Sequence, residues 1–165
     1  MLSECTMASP VGELILVASE QGLRAILWAE EREGRVTLPD RRDDPAHAVL
    51  AEAVRQLSQY FDGQRRVFNL PLDPVGTDFQ KAVWTGLGTI PYGETRSYAA
   101  LAIAIGRPGA SRAVGAANGR NPLSIVTPCH RVIGANGTLT GFAGGLAVKQ
   151  WLLAHERGER QRALA

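Results

Sequence analysis

Pro71, Pro74 and Gly76 interrupt the chain near its middle, and the sequence changes character across them. Proline fixes φ and removes a backbone donor, so neither a helix nor a central strand runs through such a stretch. Residues 64–76 therefore read as a linker, and the chain as two domains, 1–74 and 75–165. Before the linker the apolar runs are short. Residues 13–18 and 23–28 read as strands, punctuated by turns at Ser9-Pro-Val-Gly12 and Ser19-Glu-Gln-Gly22. A further strand before Ser9 would complete an antiparallel meander. Residues 29–44 are charged and irregular and read as a surface loop. Asp44-Pro45 fits an N-cap followed by proline at the first helical position. Leu50, Val54 or Ala53, Leu57 and Phe61 then recur at helical spacing, with Gly63 as a stop.

After the linker the pattern is helical. Thr77-Asp-Phe-Gln80 fits a capping box that opens a helix to about Leu87. Pro91-Tyr-Gly93 reads as a turn. Residues 97–105 form a short helix with Tyr98, Leu101, Ala102 and Ile105 on one side, and Gly106 ends it. Arg107-Pro-Gly109 is a tight turn, and a second short helix runs from Ser111 to about Asn118. Two short helices across such a turn have the helix-turn-helix form, which also occurs in proteins that never touch DNA. The second helix is built almost wholly of small residues, with Arg112 its one long side chain. Two readings stand: tight packing against another helix, or a backbone lying deep in the DNA minor groove, about 6 Å wide, with one arginine projecting. The last helix, about 147–157, sets Val148, Leu152 and Glu156 on one stripe with Trp151 and His155 alongside. Glu156 is thus expected at the edge of an apolar face, partly buried and in need of a partner, for which His130 is a candidate.

Charge follows the same division. Residues 1–74 carry a net −4 and residues 75–165 a net +6, and between Phe79 and His155 the only acid is Glu94. A long acid-poor segment with several arginines suits a surface that approaches a polyanion, although a basic face without a partner has the same composition.

Within that segment Asn121–Gly134 places Cys129 between Pro128 and His130, with Arg131 next, inside an apolar run that reads as strand-like. A thiolate is a strong soft nucleophile, and neighbouring cations raise its fraction. Cys, His and a carboxylate at Glu156 together have the logic of a nucleophile, its base and an orienting acid. Cys5 and Cys129 make no disulfide framework, and no Cys/His spacing reads as a zinc site. No apolar run is long enough to span a membrane, and the first residues lack the basic stretch and apolar core of a signal peptide. A cytoplasmic protein with neither metal nor cofactor is expected.

The segment Pro128-Cys129-His130-Arg131 resembles the active-site motif of the O6-alkylguanine-DNA alkyltransferases, also called methylated-DNA–protein-cysteine methyltransferases. The resemblance extends through Gly76–Gln80, Ile90–Thr95, Ser97-Tyr98, Arg112–Gly115, Asn121-Pro122 and Gly144–Lys149, in order and spacing, over about residues 76–157. It implies an α+β fold: a ribonuclease H-like sheet with a helix, then a mainly helical, winged helix-turn-helix-like domain. It implies direct-reversal repair without a cofactor, in which Cys129 irreversibly takes the alkyl group from O6-alkylguanine, or O4-alkylthymine, in a single turnover after the base is flipped. By the same resemblance His130 accepts the Cys129 proton through a water, Glu156 orients His130, and Tyr98 donates to the leaving guanine. Asn121 holds the turn before the cysteine. Arg112 enters the duplex, and Ser97, Tyr98, Ala113, Ala116 and Gly119 face DNA. Ser124, Phe142, Ala143 and Gly144 line the guanine pocket. Double-stranded DNA, bound through its minor groove, is the implied partner of a monomer, with cooperative loading on DNA left open.

The sequence departs from the commonest family pattern in places. Phe142-Ala143 stands where many relatives carry a Tyr-Ser or Tyr-Gly pair, which removes side-chain donors toward O6. Thr127 replaces a branched aliphatic, and Ser124 a proline found in some relatives. Two other classes fit parts of the pattern, a cysteine hydrolase and a non-catalytic lesion-binding protein. The adjacency of Cys129 and His130 with the helix-turn-helix pattern counts against the first, and the presence of Cys129 against the second.

Overall fold

The computed structural model describes residues 1–164. Three strands form an antiparallel meander, β1 (Leu2–Met7), β2 (Leu14–Ala18) and β3 (Leu23–Trp28). A short fourth strand, β4 (Arg41–Asp43), joins β1 in parallel, giving the order β3-β2-β1-β4. The sheet is therefore mixed, and part of the segment read as an irregular loop is strand. Its three residues are all exposed charged side chains, so no alternation of apolar and polar residues marked it.

Helix α1 (Ala48–Phe61) packs on the sheet through Leu50, Ala53, Leu57 and Tyr60. Its N-cap is His47, whose side chain accepts from the Val49 N–H, not Asp44. Asp44 is drawn into the sheet edge instead, where its N–H donates to the Glu4 carbonyl and its carboxylate accepts from Ser3. The local cap pattern gave way to tertiary pairing.

The free edge of β3 does not face solvent. Leu23 N–H donates to the Pro71 carbonyl, Asp73 N–H to the Leu23 carbonyl, and Ile26 N–H to the Pro122 carbonyl, each at 2.8 Å. An uncovered edge is a template for unwanted pairing. Here the 64–76 segment and the stretch leading to Cys129 cover it, so the sheet carries the cysteine segment on its rim.

Helices α2 (Asp78–Leu87), α3 (Tyr98–Ala104) and α4 (Ser111–Gly119) pack around a second core. The Thr77–Gln80 capping box is formed in both directions. Ser97 caps α3 by accepting from the Ala100 N–H. Trp84 of α2 donates its indole N–H to the Ala117 carbonyl of α4 at 2.9 Å, so the small-residue helix is tied to the core by its inner face. Strands β5 (Arg96–Ser97) and β6 (Val132–Ile133) form a short parallel pair beside α3. Helix α5 (Leu146–Glu156) closes the molecule against the first core. The expected strand around Cys129 is absent. Residues 122–128 turn repeatedly, Cys129–Arg131 form a single 3-10 turn, and Ile125 has φ +75°. The run is apolar because it is buried, not because it is extended.

Gly86 lets α2 and α3 approach closely. A Cβ there would lie 2.7 Å from Ile105 Cγ2 and 3.0 Å from Leu101 Cδ1. Alanine gains about 1 kcal/mol of helix propensity over glycine, but overpacking costs about 1–3 kcal/mol. We expect Gly86→Ala to lower the melting temperature by a few degrees, and Gly86→Ala with Ile105→Ala to be more stable than the sum of the two single changes. Additivity in thermal melts would show that the contact relaxes freely.

Candidate active site and DNA-facing helix

Cys129 stands at the start of the 3-10 turn, only 3 % exposed, within the core formed by α2, α3 and α4. The segment before it is held by Asn121, whose side-chain amide donates to the Thr127 carbonyl at 2.8 Å while its oxygen accepts from the Leu123 N–H at 3.0 Å. Burial pushes the Cys129 thiol up; hydrogen bonds from Asn121 and Ser124 and the charges of Arg35 and Lys149 act the other way without cancelling it. At rest the group is a thiol, and a base must take its proton when it reacts.

His130 is completely buried. Its Nε2 lies 2.7 Å from Glu156 Oε2. Burial pushes its pKa down, and Arg131 and Lys149 add to this, against the pull of Glu156. For Glu156, burial acts upward, but the hydrogen bonds and charges of His130 and Arg131 outweigh it and hold the carboxyl well below the usual carboxylate range. The tautomer follows. An ionised carboxylate only accepts, so Nε2 carries the hydrogen, and in the neutral ring Nδ1 is a bare acceptor. Nδ1 has no partner among the described residues and is shut from solvent. A bare imidazole lone pair on the residue next to the cysteine has the chemistry of a general base.

Glu156 is 6 % exposed, further buried than its place at the end of a helix led us to expect. Arg131 explains how: Nε donates to Oε1 at 2.8 Å and Nη2 to Oε2 at 3.0 Å, a two-point pair that balances the charge. Tyr60 adds its hydroxyl to Oε2 at 2.6 Å. Lys149, also fully buried, donates to the Val132 carbonyl at 2.6 Å. Burial lowers its pKa while the nearby Cys129 raises it.

Three of these contributors were not read from the sequence as parts of the site. Tyr60 continues the Leu50–Ala53–Leu57 face of α1, and an aromatic with a polar tip on such a face needs a partner. That was the available signal. Arg35 lies in the segment read as a surface loop, yet it is buried and donates to the Asn121 carbonyl at 2.7 Å. Trp28 donates its indole N–H to Ser124 at 3.2 Å and packs edge-on against Phe142 with ring centroids 5.6 Å apart. No local pattern marked either.

Trp28 thus joins two of the expected pocket residues. Ser124 is fully buried beneath it, and Phe142, Ala143 and Gly144 form a partly exposed wall above it. A Cβ on Gly144 would lie 2.9 Å from the indole. Tyr98 reaches the same wall, its hydroxyl 2.5 Å from Thr140 Oγ1. On α4, Val114, Ala117 and Asn118 face inward, while Arg112, Ala113, Ala116 and Gly119 share the exposed side. Ser97 and Tyr98 stand half-buried at the neighbouring start of α3. No group of three or more His, Cys, Asp or Glu side chains among the described residues is arranged to hold a metal. No described helix is long and apolar enough to cross a membrane.

Fold and site together define a helix-turn-helix protein with a cysteine nucleophile buried in the core of that motif. The ribonuclease-like domain of 6-O-methylguanine DNA methyltransferase matches residues 3–74, and the DNA-binding domain of the same family matches residues 78–158. The chain is 49 % identical to the methylated-DNA–protein-cysteine methyltransferase of Methanosarcina acetivorans over 90 % of this chain and 94 % of that one. It is 48 % identical to the protein of the same name from Shigella flexneri, over 94 % and 95 % of the two chains. A crystal structure of the Mycobacterium tuberculosis OGT in complex with DNA superposes with a TM-score of 0.86 at 46 % identity, covering 94 % of this chain and 93 % of that one. The chain belongs to the 6-O-methylguanine DNA methyltransferase family.

The charge arrangement has a stability consequence. His130 is lowered from its ordinary 6.5 and Glu156 from its ordinary 4.5, so the native state binds fewer protons than the unfolded chain. Their contribution is present above those ordinary values and is lost as pH falls through them, His130 first. Cys129 is raised from 9.0, so its contribution is lost as pH rises past that value. Denaturant unfolding should therefore give a dome, falling below about pH 6.5 and above about pH 9. Glu156→Gln leaves Arg131 buried without its counter-charge and should cost about 3–5 kcal/mol at neutral pH. Stability that increased on acidification through this range would contradict the assignment.

Proposed function

We propose that this protein repairs O6-alkylguanine in double-stranded DNA by moving the alkyl group onto Cys129 and keeping it. The observation that carries this reading is the bare, buried Nδ1 of His130, on the residue next to a buried cysteine in the chain, in a domain whose helix α4 exposes small residues. The family membership supports it.

The steps balance without a co-reactant. His130, through a bridging water, takes the Cys129 proton, and Glu156 stabilises the imidazolium. The thiolate attacks the alkyl carbon: the S–C bond forms as the C–O6 bond breaks, and the electron pair stays on the guanine oxygen. Tyr98, released from Thr140, donates toward the leaving base, where negative charge develops in the transition state. The guanine ends with the proton that the thiol lost. Phe142, Ala143, Gly144 and Ser124 hold the base, with O6 met by backbone N–H groups. The product is a thioether, a poor leaving group, and no base-and-water arrangement is needed to remove it. A hydrolase reading is disfavoured by the burial of Cys129, only 3 % exposed as a residue.

The lesion must leave the stack, which costs a few kcal/mol. Ala113, Ala116 and Gly119 keep α4 thin enough for its backbone to approach the minor groove, and Arg112 projects to fill the gap left by the flipped nucleotide. Ser97 and Tyr98 flank that approach. We further propose two domains divided between residues 74 and 75, a monomer, and a cytoplasmic setting, which suits two free thiols.

Incubation with a duplex carrying one O6-methylguanine should add one methyl per protein by intact mass, on the Cys129 peptide. Turnover beyond one equivalent would refute single use. Cys129→Ser should bind DNA and transfer nothing, while Cys5→Ala should transfer normally.

Arg112→Ala separates extrusion from chemistry. Transfer from duplex DNA should slow by tenfold or more, on the order of the unstacking cost, while transfer from the free modified base should hold within about twofold. Equal slowing on both substrates would place Arg112 in the chemical step.

A further inference from the structure

The steps above leave Tyr60 without a role. It stands in α1, across the linker from Cys129 in sequence, and is fully buried. Its hydroxyl reaches Glu156 Oε2, the same oxygen that receives His130 Nε2 and Arg131 Nη2. Glu156 Oε1 takes Arg131 Nε and, more distantly, the Gly93 N–H at 3.4 Å. Burial and the facing carboxylate push the Tyr60 phenol well above its ordinary value, so it stays protonated and donates throughout.

We propose that Tyr60 is a positioning residue for alkyl transfer: by sharing the charge of Glu156 Oε2 it limits how tightly Glu156 holds a proton on His130, and so sets the pH above which His130 is free to accept the proton of Cys129. The proposal rests on the reading of His130 as the base. One carboxylate oxygen divided among three donors is a weaker acceptor for each of them. Arg131 weakens it too, but Arg131 also carries the compensating charge. Tyr60 is neutral, so it changes the strength of Glu156 without changing the charge balance.

The other titratable groups around this cluster leave that carboxylate alone. Lys149 of α5 is spent on the Val132 carbonyl. Tyr92, in the turn after α2, meets Tyr60 ring to ring at 6.1 Å, and its pKa is raised by burial first and by Glu156 second. His155 of α5 bonds the Tyr60 carbonyl oxygen through Nε2 at 2.7 Å and packs on its ring. Among the described residues only Tyr60, His130, Arg131 and Gly93 hydrogen-bond to Glu156.

The plainer role is a core aromatic, since Tyr60 packs against Phe61 and Phe68 as well. The two roles separate in a pH profile. Tyr60→Phe keeps the ring and removes one donor, leaving Oε2 with two. Glu156 then holds the His130 proton more tightly, and neutral His130 is confined to higher pH. We expect the imidazole titration of His130, followed by NMR in the full chain, to move upward. Single-turnover transfer from an O6-methylguanine duplex should fall by about three- to tenfold on the acid side, with its high-pH plateau held within about twofold. Tyr92→Phe, which removes no bond to Glu156, should leave both curves in place.

A Tyr60→Phe protein that is uniformly slower at every pH, with an unmoved His130 titration, would overturn the proposal in favour of packing. If Tyr60→Phe does not fold, 3-fluorotyrosine at position 60 keeps the ring and makes a stronger donor. His130 should then titrate lower and the acid limb extend downward, and no movement would overturn the proposal equally. A wild-type rate indifferent to the titration of His130 would defeat the reading of His130 as base. The His130 titration in Tyr60→Phe would still report on the Tyr60–Glu156 link.

Discussion

The Glu156 carboxylate is the point on which the rest of the structure depends. It sits at the C-terminal end of α5, an end that by its dipole disfavours a negative charge, and it is almost wholly removed from water. It persists there because Arg131 meets it with two bonds, while His130 and Tyr60 add one each. Those partners come from two places in the chain, the turn carrying the cysteine and helix α1 of the N-terminal part. One ionised group therefore ties His130, next to the cysteine in the chain, to α1 as well as to α5. A buried ion pair is weak evidence for net stability, since well-packed apolar groups often do as well. Its value here is that it dictates the tautomer of His130 and leaves Nδ1 bare.

Around that anchor the site is arranged for a thiol that is protected until it is used. Burial keeps Cys129 protonated, and the Asn121 and Ser124 hydrogen bonds and the Arg35 and Lys149 charges temper that without reversing it. A thiolate exposed at rest would be open to oxidation, whereas a buried thiol is shielded from it. A protein consumed in one reaction gains from this restraint, because a sulfur lost to a side reaction is a whole molecule lost.

The N-terminal part touches the site at four points. Trp28 donates to Ser124 and packs against Phe142 and Gly144 of the wall. Arg35 grips the carbonyl of Asn121. Tyr60 reaches Glu156. The β3 edge holds Pro122 by a main-chain bond. The sheet thus serves as the rim on which the turn-rich cysteine segment is set, and this accounts for an apolar segment that is neither strand nor helix staying in one conformation.

Local chemistry in the sequence determined the elements whose causes are local. The Thr77–Gln80 capping box, the Ser97 cap, the small-residue helix with its single arginine, and the glycine stops at Gly63, Gly106 and Gly158 could be read directly, because each depends on residues within one helical turn of one another. The Pro128–Arg131 segment stood out in the same way, as adjacent residues. What depended on distant partners was decided only on folding. Asp44 lost its cap role to a sheet edge 40 residues away by Glu4; β4 exists because β1 offers it an edge, not because Arg41–Asp43 prefer to be extended. The stretch around Cys129 looked like a strand because burial and extension leave the same apolar pattern in a short run. The full burial of Lys149 and the reach of Arg35 into the site carry no signal in neighbouring residues, and the faces that marked Glu156 and Tyr60 did not say which partners they would meet. A long-range ion pair or hydrogen bond is settled by which surfaces meet, and only the tertiary structure brings those surfaces together.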